Sequence, residues 1–293
     1  VTINPAYIMK IAIASGKGGT GKTFVSTNLF AVAQKENKKV ILTDCDAEEP
    51  NVTEFINGQI IEEKVVTQQL AVIDPEKCVY CEKCREWCNY NAIICLPENR
   101  QIFLIEDLCH DCGACLAACK YGAISEKEKK LGIVTKRLVS KDAFVVEARA
   151  DVGVYSSVPV INKAIALSSD PELLIMDAPP GISCSFITTV VPACFVVLVT
   201  EPTPFGLNDL KLSVETLEQM NKPFGVVVNR AGLGDDRVYS WLEEKKIPLL
   251  MKIPFDRNIA RIYSQNLLLV NQDKDYKEAF RTLLRKIERL CTK

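Results

Sequence analysis

The chain has 293 residues, 48% of them hydrophobic and 25% charged, with a formal net charge of −1. That is enough for one large α/β domain, or a medium domain with a small insert, and the composition is that of an ordinary globular protein. The charge balance gives no case for a nucleic-acid or membrane-surface partner, and no run of about 18 apolar residues marks a membrane-spanning helix.

Met9-Lys10-Ile11-Ala12-Ile13 reads as a natural start, with residues 1–8 a vector remnant or a short leader; no secretory signal is seen and a cytoplasmic location is expected. Ile11 to Ala14 is an apolar run ending in Ser15-Gly16. A glycine-rich loop follows, then a helical stretch from about Lys22 to Lys35, then a second buried-type strand from Lys39 to Thr43 that ends at Asp44. Strand, loop, helix and strand in this order open a parallel α/β sheet.

Residues 74–125 break the alternation. Long helical patterns are absent, and Cys78-x-x-Cys81-x-x-Cys84-x-x-x-Cys88 recurs as Cys109-x-x-Cys112-x-x-Cys115-x-x-x-Cys119. Each copy continues into a Tyr-x-Ala-Ile tail, so the segment holds two half-modules. Beyond it, Gly132–Thr135 and Ala143–Val146 read as short edge strands that return the chain to the first sheet. The α/β alternation then resumes. Strands run from Leu173 to Met176 (ending at Asp177), Phe195 to Val199, Phe224 to Val228 (ending at Asn229) and Leu249 to Ile253 (ending at Pro254). Helical patterns lie near 206–220, 235–246, 256–265 and from about Asp275 to Cys291. Uninterrupted apolar strands of this kind are buried on both faces, and functional residues are expected just past their carboxyl ends.

Gly16-Lys17-Gly18-Gly19-Thr20-Gly21-Lys22-Thr23 fits G-x-x-x-x-G-K-[ST] between a strand and a helix. Glycines at these positions let main-chain N–H groups turn toward phosphate oxygens, and the helix N-terminus adds favourable dipole. Lys22 is placed on the β- and γ-phosphates of ATP and the Thr23 hydroxyl on Mg²⁺. The doubled C-x₂-C-x₂-C-x₃-C run is the pattern of ferredoxins with two [4Fe–4S] clusters, in which the fourth cysteine of each run ligates the other cluster. It assigns Cys78, Cys81, Cys84 and Cys119 to one cluster and Cys109, Cys112, Cys115 and Cys88 to the second. Zinc sites take their ligands as two pairs, not as triplets with a crossing fourth. Proline usually follows the fourth cysteine; Asn89 and Lys120 stand there in this chain. Residues 74–125 carry eight acidic and five basic side chains, so an acidic electron-transfer surface is expected.

With its second lysine, Lys17, the loop resembles the deviant Walker A family: the MinD and ParA division and partitioning ATPases, the nitrogenase iron protein and the Mrp-like iron–sulfur carriers. The whole chain from Met9 is similar to MinD-superfamily ATPases with an inserted ferredoxin domain. The resemblance implies an α/β P-loop NTPase with a mostly parallel sheet, in two parts (9–73 and 126–293), around an α+β bacterial-type ferredoxin module at 74–125. It implies a homodimer in the ATP state, with Lys17 reaching the partner's nucleotide. Thr43-Asp44-Cys45-Asp46 resembles switch I, with Asp46 positioning the attacking water and Asp44 supporting the magnesium shell. Asp177-Ala178-Pro179-Pro180-Gly181 resembles Walker B and switch II, with Asp177 on Mg²⁺ through water. Asn229-Arg230 and Ile253-Pro254-Phe255-Asp256 resemble the segments that read and cover the adenine. The expected ligands are ATP or ADP, Mg²⁺ and two clusters. The expected partners are a redox protein or an iron–sulfur client, with no nucleic acid and no stable membrane insertion. ATP-gated electron transfer leads, with a cluster carrier or a positioning ATPase with structural or sensory clusters as alternatives.

Of the other cysteines, Cys45, Cys95, Cys194 and Cys291 read as small buried hydrophobes. Cys184 is expected on switch II near the dimer face, either as a small buried hydrophobe or, as the resemblance to the nitrogenase iron protein implies, as a thiol or cluster ligand shared across the dimer. His110 reads as surface filler. Tyr276, Phe280, Leu283, Leu284, Ile287 and Leu290 line one face of the last helix, which is expected to pack on its own domain in preference to a membrane.

Overall fold

The computed structural model describes residues 8–291, so all but the last position of the expected leader lies outside the described residues. The chain divides into two compact units. One comprises the residues up to Lys64, Val134–Arg149 and Val158 onward; the other comprises Val65–Ile133 and Ala150–Ser157.

In chain order the elements are β1 (Met9–Ala14), α1 (Lys22–Lys35), β2 (Val40–Asp44), α2 (Val52–Phe55), β3 (Gln59–Ile73), α3 (Lys83–Glu86), β4 (Ile93–Leu96) and β5 (Gln101–Leu104). They continue with α4 (Ala114–Ala118), β6 (Ile124–Ser140), β7 (Ala143–Ala150), α5 (Val158–Leu167), β8 (Leu173–Asp177), α6 (Cys184–Val190), β9 (Phe195–Thr200) and α7 (Pro204–Gln219). The last are β10 (Phe224–Ala231), α8 (Arg237–Glu244), β11 (Leu249–Pro254), α9 (Arg257–Ser264), α10 (Leu269–Gln272) and α11 (Lys274–Cys291).

Nine strands form one sheet in the order β11-β10-β9-β1-β8-β2-β7-β6-β3. All pairings from β11 across to β7 are parallel, as the apolar runs predict. The register sets Asp44 of β2 directly beside Asp177 of β8, and Ile13 of β1 beside Asp177 on its other flank. The three central strands thus bring the loop after β1 and two carboxylates to the same edge of the sheet. Helix α1 is buried nearly all round, from Phe24 to Ala33, and joins Ile11, Ile13, Leu42, Ile175 and Val197 in one core with Phe280, Leu283, Leu284 and Ile287 of α11. The apolar face of α11 therefore packs on its own unit, and among the described residues no helix is long and apolar enough to cross a membrane.

Two expectations at the sheet margin need correction. The piece expected over 143–146 is not edge structure: β7 lies between β2 and β6 and is buried from Val145 to Ala148. The piece expected over 132–135 is the middle of the 17-residue β6, joined to β7 by Lys141 and Asp142 alone. A two-residue link permits only a hairpin, which interrupts the run of β-α-β crossovers. The edge strand on this side of the sheet is β3, which the alternation of apolar runs does not announce.

The second unit is built from little. It holds helices of four and five residues, an antiparallel β4–β5 pair with Ile93 opposite Leu104, and a small core of Ala71, Cys84, Ile93 and Ile124 with Ile73, Ile102 and Leu104 around it.

Candidate nucleotide site and cysteine hollows

The loop from Ser15 to Lys22 is shaped by its glycines. A Cβ on Gly16 would stand 2.3 Å from the main-chain oxygen of Asp209, and Gly21 has φ of 97° with no room beside the Asn229 amide. No side chain caps α1, so the first-turn N–H groups of this 14-residue helix point into the loop. Gly18 and Gly19 face open space. Asn229 braces the loop from β10: its amide donates to the Thr20 carbonyl at 2.8 Å, and its side-chain oxygen accepts from the Arg230 N–H. The Thr20 hydroxyl is buried without a hydrogen-bond partner.

A cleft of about 370 Å³ opens over the loop. Gly18, Gly19, Gly21, Lys22 and Thr23 form its floor, Asp46 and Glu49 one flank, and Asn229, Arg230, Pro254 and Phe255 the other. Tyr263 closes the back, stacked on Phe55 at 4.8 Å and edge-on to Phe24 at 5.8 Å.

Lys22 is buried among three carboxylates. Burial lowers its pKa, and Asp177, then Asp46 and Asp44, act against that shift. Burial raises Asp46 to about 6, with Lys22 pulling the other way. Asp44 and Asp177, side by side and fully buried, are both pushed upward by burial. Their surroundings differ. The Asp44 oxygens accept three main-chain N–H groups, from Asp46 at 3.1 Å, Asn51 at 2.9 Å and Val52 at 3.0 Å, so this carboxylate holds the turn of residues 45–52. Asp177 receives the Thr23 and Ser26 hydroxyls, yet its Oδ1 is buried with no partner. A buried acceptor with an unused lone pair is where a hydrated cation fits.

Lys17 is not among the residues that line this cleft. Its Nζ lies 3.5 Å from Oε2 of the buried Glu201, whose Oε1 also pairs with Arg230. Glu201 follows β9, and sequence reasoning missed it: nothing in its neighbourhood marks a motif. Its burial between two cations is a tertiary fact. Cys184 is exposed in the first turn of α6, and Cys45 is buried.

The second unit has two hollows. Cys78, Cys81, Cys84 and Cys119 line one, together with Ile73, Ile102 and Ile124. Cys88, Cys109, Cys112 and Cys115 line the other, with Tyr90 and His110 stacked at 3.9 Å. Each hollow takes three cysteines from one run and one from the other, the division expected from the spacing. Among the described residues no three such side chains converge on a point where a single ion would bind. The backbone repeats with the sequence: Tyr80, Glu82 and Asn91 have φ of 56°, 62° and 52°, and the residues 31 places on, Asp111, Gly113 and Gly122, have 52°, 67° and 65°. Non-glycine residues pay for that conformation with strain, which marks functional loops. The curl brings N–H groups onto sulfur, Tyr80 to Cys78 at 3.4 Å and Ala92 to Cys88 at 3.3 Å. Burial raises the Cys84 thiol to about 11 and the Cys115 thiol in the same direction. Iron bound there would reverse the shift, because a cation favours thiolate.

Residues 11–270 match the model of the CobQ/CobB/MinD/ParA nucleotide binding domain. The chain belongs to this family. An uncharacterized protein of Methanocaldococcus jannaschii is 30% identical over 279 residues, 92% of this chain and 96% of its own length. An iron-sulfur cluster carrier protein of Pyrococcus horikoshii is 24% identical over 95% of this chain and 85% of its own. Among solved structures, the septum site-determining protein MinD of Pyrococcus horikoshii, complexed with Mg-ADP, has the same fold, with a TM-score of 0.59 at 18% identity over 97% of each chain. The MinD/ParA family membership agrees with the P-loop and the mostly parallel sheet.

Proposed function

We propose that this chain is an ATP-hydrolysing, nucleotide-switched dimer that carries two [4Fe–4S] clusters and couples its nucleotide state to electron transfer through them. The observation that carries the reading is the sorting of eight cysteines into two crossed quartets inside a member of a nucleotide-binding family. The second unit's small core supports it too: domains this slight are usually held by disulfides or metal. When bound, the clusters supply one-electron redox chemistry. The protein supplies eight thiolates and the Tyr80 and Ala92 N–H groups, which draw charge from two of the sulfurs.

In the cleft, Lys22 and the loop N–H groups bind the β- and γ-phosphates. The Thr23 hydroxyl and Asp177, whose Oδ1 is buried without a partner, would hold Mg²⁺, which would screen charge on the phosphates, with Asp44 behind them fixing switch I. Asp46 orients the water that attacks the γ-phosphorus as the bond to the ADP oxygen breaks; positioning and charge do most of this work. Asn229, Arg230, Pro254 and Phe255 take the base side. In the ATP state Lys17 leaves Glu201 for the partner's nucleotide, and hydrolysis removes that contact.

The test is a pair of variants. Lys22→Ala should lose nucleotide binding. Asp46→Ala should bind ATP, fail to hydrolyse it and sediment as a dimer with MgATP, and adding Lys17→Ala should dissociate that dimer. Hydrolysis by Asp46→Ala at the parent rate would refute the switch I assignment. The similarity to a cluster carrier favours a second reading, in which the clusters pass to an apo-protein client. Under it, iron moves to an acceptor on incubation; under the first, iron stays and only electrons move.

A further inference from the structure

Two thiols with no part in the cleft or the hollows meet across the first unit. Cys194 precedes β9, where its N–H is bonded to the Lys10 carbonyl at 2.7 Å, so its place on the sheet is fixed. Cys291 lies in the last turn of α11, a helix anchored by Phe280, Leu283, Leu284 and Ile287 in the core. Their Sγ atoms are 2.7 Å apart, although the residues are 97 positions apart in sequence. Both are half-buried and packed against the main core, so the contact joins two rigid elements. A disulfide has S–S of about 2.05 Å, so the sulfurs need approach each other by only about 0.6 Å for the bond to form.

We propose that Cys194 and Cys291 are a thiol–disulfide pair that, when oxidised, fastens the end of α11 to the sheet. The oxidant is a small-molecule disulfide. A thiolate of the pair attacks one of its sulfurs, breaking that S–S bond and releasing one small thiolate. The second protein thiolate then attacks the protein sulfur of the mixed disulfide and expels the other small thiolate. Two protein thiols lose two protons and two electrons; the small disulfide becomes two thiols. Closure of so long a loop constrains the unfolded chain, and a rise in Tm of about 10 °C is expected. The clamp acts behind the nucleotide cleft, since Phe280 of α11 meets Phe24 of α1 edge-on at 6.1 Å.

The experiment uses the full chain as purified without oxygen, with oxidised glutathione as the probe. After alkylation and digestion, mass mapping should find a peptide pair linking Cys194 to Cys291, and Tm should rise by about 10 °C and fall back with reductant. Exposed Cys184 should carry glutathione, which verifies that the probe reacted. Cys194→Ser and Cys291→Ser should each abolish both the link and the rise while folding with the Tm of the reduced parent. If Cys184 is modified while Cys194 and Cys291 end as separate mixed disulfides or alkylated thiols, the proposal is overturned. A link that forms without raising Tm overturns the fastening.

Discussion

Burial raises the Asp46 carboxyl from 3.8 to about 6, and that shift sets what Asp46→Asn should do to stability. Well below the unfolded value of 3.8 the group is neutral in the folded and unfolded chains alike and costs nothing. As pH rises the unfolded chain ionises first, so folding loses stability between pH about 4 and about 6 and the loss is complete above that. The full gap corresponds to about 3 kcal/mol; water reaches part of the side chain, which reduces this to about 2 kcal/mol. Asparagine carries no charge and keeps an oxygen for the Glu49 N–H that Asp46 accepts. In nucleotide-free protein, urea unfolding should therefore find Asp46→Asn more stable by about 2 kcal/mol at pH 7.5 and by about 1 kcal/mol at pH 5. Tm should rise by about 5 °C at the higher pH. The same variant should lose hydrolysis, a stability gain at the expense of function. A variant no more stable than the parent at pH 7.5, or a gain that does not shrink at pH 5, would refute burial of a charge as the cause.

Other substitutions probe other links. Glu201→Gln removes the negative charge that holds Lys17 within its own chain. A pair of this exposure is worth about 0.2–1 kcal/mol and a dimer has two, so the MgATP dimer should tighten by about 2- to 30-fold in sedimentation; a weaker dimer would count against the exchange. Phe280→Ala empties a fully buried site and should cost about 3–5 kcal/mol in urea unfolding; a loss under 1 kcal/mol would mean that α11 contributes little to the core. Cys119→Ser should remove about half of the iron, because this residue completes the quartet of Cys78, Cys81 and Cys84. Loss of all the iron, or none, would contradict the crossed assignment.

Much of the α/β frame could be read directly. Strands β2, β8 and β9 are buried along their whole length and β1 and β10 over their apolar cores, which is why they read as apolar runs. Strand β11, at the other margin of the sheet, is legible from Leu249, Leu250, Met251 and Ile253 although Lys252 is exposed, and α1 begins and ends at Lys22 and Lys35 as expected. Strand β3 gives no apolar run, for the opposite reason. Its Gln59, Glu62, Glu63, Lys64, Thr67, Gln68 and Gln69 are the polar residues of an edge strand, where Ile60, Ile61 and Val65 are exposed and no apolar run develops. Helix α5 carries Pro159 in its first turn, where proline is well tolerated, so the residue that breaks a helical pattern elsewhere hides this helix in the sequence. In the site, the motifs named Lys22 and Thr23, which open α1, Asp46, just past the end of β2, and Asp177, the last residue of β8; the first three line the cleft. Two features depend on contacts between distant parts of the chain and have no local signal: Glu201 gripping Lys17 and Arg230, and Cys194 meeting Cys291. Asp44 carries a role beyond the one its position suggested, because its oxygens are taken up by the turn that presents Asp46.

Coupling of nucleotide state to two clusters is tested most directly by an anaerobic redox titration of the purified chain, followed by electron paramagnetic resonance, with and without MgATP. The account predicts about two low-potential one-electron centres per chain. It also predicts that MgATP displaces their midpoint potentials in the parent, with no displacement in Lys22→Ala. A chain that takes up no electrons, or centres whose potentials are the same with and without MgATP, would contradict it.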